Sequence, residues 1–251
     1  MIAIYVLIFF LGASFASFYG LISIRLLDNK SIIKPGSHCD YCKHKLKFYD
    51  LIPVISFIFL KGKCRYCGKK LLIYEPIIEF MLGIFTVYMF IKYGISYEFF
   101  MAFILFSLLI IIFITDFKEM IILDSPLVIS SILIFILKWY FININEALIG
   151  LFSGLSLFLI MFFTGYVGSK IFKREALGGG DIKLSFVIGL TLGLEHGLVS
   201  LILSTFLALP YSVLSLTIKN NKEVPFGPFL VSALNIVFWF YNKFSYIISL
   251  I

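Results

Sequence analysis

The 251-residue chain is too apolar for a soluble protein, because 61% of its residues are hydrophobic and only 14% are charged. Soluble domains average about 45–50% hydrophobic and about 25% charged residues. The composition therefore predicts an all-α polytopic membrane protein, whose helices satisfy their own backbone hydrogen bonds in lipid. The net charge of +7 could indicate a nucleic-acid-binding protein. The positions of the basic residues along the chain are better explained by membrane topology, so we predict no nucleic-acid partner.

Apolar runs of about 20 residues, the length that crosses a bilayer, recur along the chain. We predict about eight transmembrane helices, of which the sixth is short. The first has no basic segment before it, so we expect a retained helix and not a cleaved signal peptide. The predicted spans are residues 2–24, 76–92, 97–115, 120–141, 146–168, 182–194, 197–218 and 227–249.

The positions of Lys and Arg predict the orientation of these spans. With the N-terminus outside, all 21 basic residues except Lys92, Lys138 and Lys243 fall in segments on the cytoplasmic side, including a turn at 219–222. Basic residues favour the cytoplasmic side of a membrane. We therefore predict a multi-pass protein of the plasma (inner) membrane with its N-terminus outside.

All four cysteines lie in the loop of residues 25–75, the only sizeable soluble region. They form two copies of C-x-Y-C-x-x-K-L, and the two CxxC pairs have 21 residues between them, close to the spacing of zinc sites. Four thiolates bind Zn²⁺ tetrahedrally and stabilise a small domain, whereas disulfides are rare in the cytoplasm. We predict a structural zinc site; redox-active pairs, free thiols, or ligation by His38 or His44 are alternatives. The predicted ligands are Cys39, Cys42, Cys64 and Cys67.

Three acidic residues, Asp116, Asp124 and Asp181, are predicted at the cytoplasmic boundary of the membrane. A carboxylate costs about 2.5–3.5 kcal/mol at a bilayer centre. An acidic residue next to a membrane span therefore suggests a specific role. Asp181 follows Gly178, Gly179 and Gly180, which let another backbone approach closely. The alternative is that Asp181 merely caps the helix that follows it.

Two neighbouring carboxylates that share one proton can hydrolyse a peptide bond. The ionised group takes a proton from water, and the protonated group polarises the carbonyl and later protonates the leaving amine. Asp116 and Asp181 are the predicted catalytic pair, supported by the three glycines and by Asp124. The sequence contains no GxSxG, HExxH or P-loop motif, so it lacks the sequence signatures of serine hydrolases, zinc proteases and P-loop NTPases.

These motifs together resemble the type IV prepilin peptidases, a family of membrane aspartyl proteases with the GxGD motif. Two details differ from the family pattern: Leu123 stands where the family often has Pro before Asp124, and one residue is inserted before Pro76. The matching stretches, in family order, are Gly12 to Phe15 with Arg25-Leu26, Ser37 to Cys42, Phe48 to Pro53, Lys61 to Cys67, Tyr74 to Glu79, Ile114 to Phe117, Gly178 to Lys183, and Pro225 to Phe229.

The resemblance implies three regions: a first transmembrane helix (1–24), a methyltransferase-associated cytoplasmic zinc loop (25–75) and a transmembrane aspartyl peptidase domain (76–251). It implies cleavage of the leader of a type IV prepilin or pseudopilin at the cytoplasmic face, for a pilus or a type II secretion system. It further implies methylation of the new N-terminal residue by S-adenosylmethionine, with Gly62 and Glu79 as methyltransferase candidates. A peptidase without methyltransferase activity, and a non-enzymatic transporter or assembly factor, are the alternatives.

Overall fold

A computed structural model describes residues 2–219 and 224–249, and the regular elements of these residues are all helical, as predicted. The predicted turn at 219–222 lies outside the described residues except for the backbone of Lys219. A 3-10 turn at Phe48–Asp50 and a π-helical turn at Ser215–Lys219 accompany the α-helices. These helices are α1 (Ile2–Leu27), α2 (Ile55–Phe59), α3 (Tyr74–Tyr93), α4 (Tyr97–Glu119), α5 (Asp124–Phe141), α6 (Ile144–Phe172), α7 (Gly179–Leu192), α8 (Leu194–Leu214), α9 (Gly227–Trp239) and α10 (Tyr241–Ile248).

Six helical segments in the described residues are long and apolar enough to cross a membrane, so the exact number of eight spans is not confirmed. The six are α1, α3, α4, α5, α6 and the segment Leu194–Thr217 that contains α8. Helix α7 has 14 residues and α9 has 13, which cover only about 20 Å at 1.5 Å per residue. The predicted last span is divided at Phe240, where α9 ends and the more polar α10 begins.

Large apolar side chains cover the outer surfaces of the long helices. Leu7 on α1, Phe163 on α6 and Phe206 on α8 are 70%, 58% and 63% exposed. Such surfaces would be unfavourable in water, but lipid is as apolar as these side chains, and membrane helices pack through small residues instead. The chain is therefore a multi-pass membrane protein.

The chain divides into two packed units, the first ending at Phe99 and the second beginning at Phe100. In the first unit α1 packs along α3, where Gly12 lies so close to α3 that a Cβ at this position would be 2.9 Å from the carbonyl oxygen of Leu82. Helix α3 thus packs with α1, although its sequence follows the cysteine loop. The functional boundary between residues 75 and 76 stays a prediction.

In the second unit, a close approach of α6 to α7 holds the helix that carries Asp181. A Cβ added to Gly150 would lie 2.8 Å from the carbonyl oxygen of Leu190, and one added to Gly154 would lie 2.7 Å from that of Phe186. The backbones of the two helices are therefore in contact, as is usual for small residues between membrane helices. This contact holds α7, which has only 14 residues, against α6.

Candidate active site

The structure brings the two predicted catalytic residues to one cleft of about 210 Å³ in the second unit. Asp116 lies in the last turn of α4, and Asp181 lies in the first turn of α7. The segments Met120 to Ile122 and Gly178 to Gly180 line the rest of the cleft. Two carboxylates therefore share one opening at the ends of their helices, although each comes from a different helix.

Asp116 is 5% exposed and is held by the start of α9. Its Oδ2 accepts a hydrogen bond of 2.9 Å from the backbone N–H of Gly227, the first residue of that helix. The first N–H groups of a helix have no acceptor within the helix, so the carboxylate of Asp116 satisfies one of them. Both partners gain, because the N-terminal end of a helix attracts negative charge.

The three glycines before Asp181 differ in what surrounds them. A Cβ on Gly178 would lie 3.1 Å from Oδ2 of Asp181, and a Cβ on Gly180 would lie 2.7 Å from the Cβ of Ile122. Gly179, in contrast, has nothing within 4 Å of the position of an added Cβ. Close approach therefore requires glycine at the third position of the run, whereas a Cβ at the first position would fit tightly and one at the second would meet nothing.

Helix capping explains only part of the position of Asp181. Gly178, and not Asp181, is the N-cap of α7, and the side chain of Asp181 hydrogen-bonds back to the backbone of Gly178. An acid at the third helical position commonly does this. The same carboxylate also lines the cleft with Asp116, which capping does not require.

Asp124 lies outside this lining in the part of the chain that the structure describes. It is exposed at the start of α5, and its carboxylate receives two hydrogen bonds, of 2.7 and 2.8 Å, from Nζ of Lys183 on α7. Because Lys183 is two residues beyond Asp181, the ion pair connects α5 to the helix that carries the second acid. The contact suits a positioning role better than proton transfer.

Two residues of this site, Ile122 and Gly227, are absent from the sequence-based set of site residues. Ile122 is close to both Gly180 and Gly227, since a Cβ on Gly227 would lie 2.8 Å from Cδ1 of Ile122. The run from Pro225 to Phe229 was a sequence signal for Gly227. Ile122 carries no comparable signal, because it is one isoleucine in an apolar region.

In the first unit, the two cysteine repeats fold in the same way. Each first cysteine donates its backbone N–H to the carbonyl oxygen of the residue five positions later, from Cys39 to His44 at 3.0 Å and from Cys64 to Lys69 at 2.8 Å. The repeat in the sequence is therefore also a repeat in structure. Matching turns bring both pairs of thiols to one point.

The four cysteines fit a metal ion. Their Sγ atoms all lie within 4.8 Å of one another, and all four thiols are free. The Sγ atoms of Cys39 and Cys67 are 3.8 Å apart, and a tetrahedral ZnS₄ site with Zn–S bonds of about 2.3 Å has S–S edges of about 3.8 Å. His38 and His44 have other contacts, a hydrogen bond with the Gly36 carbonyl and stacking on Tyr66.

The ionisation of the thiols is also consistent with a bound cation. Hydrogen bonds from the backbone of Cys67 and Tyr66 lower the pKa of Cys64 to about 7, although burial opposes this effect. At Cys67 the backbone of Lys69 lowers the pKa, but burial and the neighbouring thiols outweigh it and raise the value to about 11. Four adjacent thiols do not all ionise without a positive charge to hold them, and a metal ion supplies that charge.

Asp50 joins the second cysteine repeat to the segment before α2. Its side chain is 2% exposed and accepts hydrogen bonds from Nε of Arg65 (2.6 Å), the hydroxyl of Tyr66 (3.3 Å) and the backbone N–H of Lys47 (3.2 Å). Burial raises the pKa of Asp50, but these donors outweigh burial and hold the pKa below its usual value. Asp50 is thus a charged anchor of the loop.

The methyltransferase candidates Glu79 and Gly62 both contact the region of α2. Oε2 of the buried Glu79 on α3 accepts a hydrogen bond of 2.8 Å from the N–H of Val54, the N-cap of α2. Gly62 has a φ of +68°, and a Cβ there would lie 3.0 Å from the ring of Phe57 in α2. Gly62 is therefore required by backbone conformation and by packing, whereas Glu79 places a carboxylate beside a tight turn.

Comparisons with known proteins agree with these motifs. Residues 10–93 match the Bacterial Peptidase A24 N-terminal domain, and residues 103–213 match the Type IV leader peptidase family. A Bacillus subtilis (strain 168) protein named "Prepilin leader peptidase/N-methyltransferase" is 32% identical over 88% of this chain and 88% of its own length. Proteins of the same name from Vibrio cholerae serotype O1 and Myxococcus xanthus (strain DK1622) are 30% and 32% identical, over 81% and 73% of this chain and 80% and 55% of theirs. No solved structure matches the chain significantly. The chain belongs to the type IV leader peptidase family.

Proposed function

We propose that this protein removes the leader of a type IV prepilin or pseudopilin and then methylates the residue that becomes N-terminal. One observation carries the peptidase half: Asp116 and Asp181 line the same cleft in a member of the leader peptidase family. The relatives' names combine leader peptidase and N-methyltransferase, which supports the second half. Both acids are proposed catalytic residues.

The proposed hydrolysis uses the two acids as a unit. The ionised carboxylate accepts a proton from a water molecule, whose oxygen attacks the carbonyl carbon of the scissile peptide, while the protonated carboxylic acid donates a hydrogen bond to the carbonyl oxygen. The tetrahedral intermediate then breaks its C–N bond as the leaving amine receives a proton from the pair. The products are a carboxylate on the leader and a free amine on the mature pilin. Individual base and acid roles are not assigned, because a coupled pair titrates together.

The position of the cleft supports a substrate that enters from the membrane surface. Both acids lie at helix ends, whereas an ion pathway through a transporter would place them near the middle of the bilayer. If the N-terminus of the protein is outside, the end of α4 reaches the cytoplasmic face of the plasma membrane. A prepilin whose apolar helix lies in the membrane would present its basic leader there.

The cysteine cluster of the first unit is proposed to hold a structural Zn²⁺ ion. The ion would neutralise the thiolates of Cys39, Cys42, Cys64 and Cys67 and join the two repeats, and it would supply folding energy that so small a loop lacks. No step of the peptidase reaction uses it. Its proposed role is to shape the loop that carries Gly62 and α2.

The proposed methyl transfer uses S-adenosylmethionine as a second substrate. The lone pair of the new N-terminal amine attacks the methyl carbon, the C–S bond breaks with its electrons going to sulfur, and the amine loses a proton. Orientation of the amine against the sulfonium is the main requirement of such a reaction. We propose that the negative charge of Glu79 attracts the sulfonium, and that Gly62 supports α2 beside it.

Co-expression with a type IV prepilin tests the proposal. The native chain, Asp116→Asn and Asp181→Asn are compared by mass spectrometry of the pilin, with Glu119→Gln as a matched control, because Glu119 is an exposed acid at the end of the same helix as Asp116. We expect a shortened, methylated pilin from the native chain and the control, and the full-length prepilin from both Asp variants.

The same assay separates the two activities. Glu79→Gln should give a shortened pilin that lacks the mass of one methyl group. A shortened but unmethylated product from the native chain would contradict the methyltransferase half alone. Cleavage by membrane-inserted Asp181→Asn at the native rate would contradict the aspartyl mechanism.

A further inference from the structure

We propose that Gly227 and Ile122 are positioning residues for the two acids: the N–H of Gly227 orients Asp116, and the side chain of Ile122, wedged between Gly180 and Gly227, sets the distance between Asp116 and Asp181. The catalytic consequence of this arrangement rests on the proposed peptidase function. The arrangement itself can be tested without it.

Gly227 leaves no space for a side chain between α9 and Asp116. A Cβ added to Gly227 would lie 2.9 Å from Oδ2 of Asp116, 2.8 Å from Cδ1 of Ile122 and 3.0 Å from Cγ2 of Ile112. The backbone N–H reaches Oδ2 of Asp116 at 2.9 Å only because no side chain intervenes. Pro228 follows and has no N–H of its own, so Gly227 provides the donor at this end of the helix.

Ile122 contacts both Gly180 and Gly227. It lies in the connection between α4 and α5 and lines the cleft. Its Cβ faces Gly180, directly before Asp181, and its Cδ1 faces Gly227, the residue bonded to Asp116. One side chain therefore separates the backbone next to one acid from the backbone that holds the other.

Catalysis by a carboxylate pair depends on this separation. The acids must share a proton and also leave room for a water molecule and a peptide carbonyl. A misplacement of about 1 Å at a reacting group can cost about 10²-fold in rate. A wedge at this point therefore acts on the turnover rate, while substrate binding through the transmembrane helix of the prepilin is left largely unchanged.

The chain offers a control glycine outside the cleft. Gly180→Ala and Gly227→Ala each introduce a Cβ where no room exists, whereas a Cβ at Gly20 on α1 would meet only Cδ1 of Ile78, at an ordinary contact distance of 3.8 Å. We expect the first two to lower kcat about 10²-fold with KM changed by less than about 3-fold, and Gly20→Ala to stay within about 3-fold of the native kcat.

Two substitutions that change the shape of the Ile122 side chain test its role. Ile122→Ala removes the part of the side chain that faces Gly227 and should lower kcat, while Ile122→Val keeps the branched Cβ and should restore most of the activity. Each kcat is normalised to folded enzyme by gel filtration in detergent. Native kcat in Ile122→Ala, or a loss in Gly20→Ala as large as in Gly180→Ala, would overturn the role of the wedge.

A second measurement requires no activity. Amide hydrogen exchange of Gly227 is followed by NMR in the purified full chain labelled with ¹⁵N-glycine, with the signal identified by its loss in Gly227→Ala. Asp116→Ala should accelerate exchange at Gly227, Asp116→Asn should retain most of the protection because an acceptor oxygen remains, and Asp181→Ala should have little effect.

The two measurements separate the inference from the proposed function. Unchanged exchange at Gly227 in Asp116→Ala overturns the positioning role, whether or not the enzyme cleaves prepilin. A native chain that cleaves no prepilin, but whose Gly227 exchange responds to Asp116 as described, overturns the proposed function and supports the contact.

Discussion

The cysteine loop and the aspartate cleft are built in opposite ways. The outermost cysteines of the loop are 28 residues apart, and its repeats are shaped by short turns. The hydrogen bond that holds Asp116 in the cleft joins residues 111 positions apart, across two helices. The loop is therefore encoded by local sequence, whereas the cleft exists only after α4, α7 and α9 have packed together.

This difference predicts that the two sites fail independently. A small loop in water depends on its metal, because it cannot bury enough apolar surface. The cleft depends on helix contacts inside the membrane, such as the approach of α7 to Gly154 of α6. A substitution that disrupts one site should therefore leave the structure of the other site intact.

The largest effect is expected for the double variant Asp116→Asn/Asp181→Asn. Each single substitution should reduce leader cleavage by at least about 10²–10⁴-fold, because neither acid can transfer the proton alone. The double variant should be little worse than either single variant, since residues that act as a unit are strongly non-additive. Rates are measured on purified prepilin in detergent.

The same variants test the independence of the two sites. Their metal content should equal that of the native chain, because the cysteines lie in the other packed unit. Multiplication of the two single effects in the double variant would show that the acids act separately. A loss of metal in either variant would contradict the independence of the loop.

The next largest effect is expected at the metal centre. Cys64→Ser removes one of four clustered ligands, and the purified protein should lose its near-stoichiometric zinc and become sensitive to proteases within the loop. His38→Ala is the matched control, since His38 is half-buried and hydrogen-bonded to the backbone carbonyl of Gly36, and it should keep its zinc. Metal is measured by atomic absorption under reducing conditions.

The outcome of this experiment has two possible meanings for the loop. Zinc loss in Cys64→Ser but not in His38→Ala would support four-thiolate ligation. Absence of metal from the native protein would contradict the zinc site and favour the redox or free-thiol alternatives.

More of the cysteine loop than of the cleft could be predicted from the sequence, because the loop is encoded locally whereas the cleft depends on tertiary contacts. The offset of the two cysteine repeats predicted a joint site, and the structure places all four Sγ atoms together. In the cleft, the chemistry of Asp116 and the glycine run identified the acids. Gly227 was visible only as part of a resemblance, and Ile122 gave no signal, because their roles depend on tertiary contacts.

The count of spans was the less predictable part of the fold. Hydrophobicity identified every apolar segment as helical, but it does not distinguish a short helix held by neighbours from one that crosses the bilayer. Helix α7, held by contacts at Gly150 and Gly154, is not among the six described segments that are long and apolar enough to cross a membrane. The break at Phe240 was also missed, because the polar stretch from Tyr241 to Lys243 is short and apolar residues lie on both sides of it.

A smaller effect is expected at Asp50, inside the loop. Asp50→Ala removes the acceptor of the hydrogen bonds from Arg65, Tyr66 and Lys47. Because water reaches these donors, the loop should be destabilised by only about 0.5–1.5 kcal/mol. Faster hydrogen exchange over residues 47–66, with zinc still bound, is the expected observation, and exchange at the native rate would contradict the anchor. Phe48→Ala is a suitable control in the same turn, because the side chain of Phe48 is 86% exposed.

The sign of the pH dependence follows from the lowered pKa of Asp50. A carboxyl group whose folded pKa is depressed stabilises the fold above its unfolded value, near about 3.9, and this contribution is lost as the pH falls through the folded value. The ratio of the exchange rates of Asp50→Ala and of the native protein, compared at the same pH, should therefore stay constant from about pH 6 to 8 and fall towards one as the pH drops through the folded pKa of Asp50.

The smallest effect is expected for the ion pair of Asp124 and Lys183, which is the most direct test of where the catalytic site ends. Both side chains are more than half exposed, and exposed pairs contribute only about 0.2–1 kcal/mol. Asp124→Asn, Lys183→Met and the double variant form a cycle in which thermal stability in detergent should show a coupling of that size, while prepilin cleavage falls less than about 10-fold. If Asp124→Asn instead abolished cleavage as completely as Asp116→Asn, Asp124 would have to act on the substrate itself. The cleft would then extend beyond the residues that line it, and the ion pair with Lys183 would have to open during the reaction.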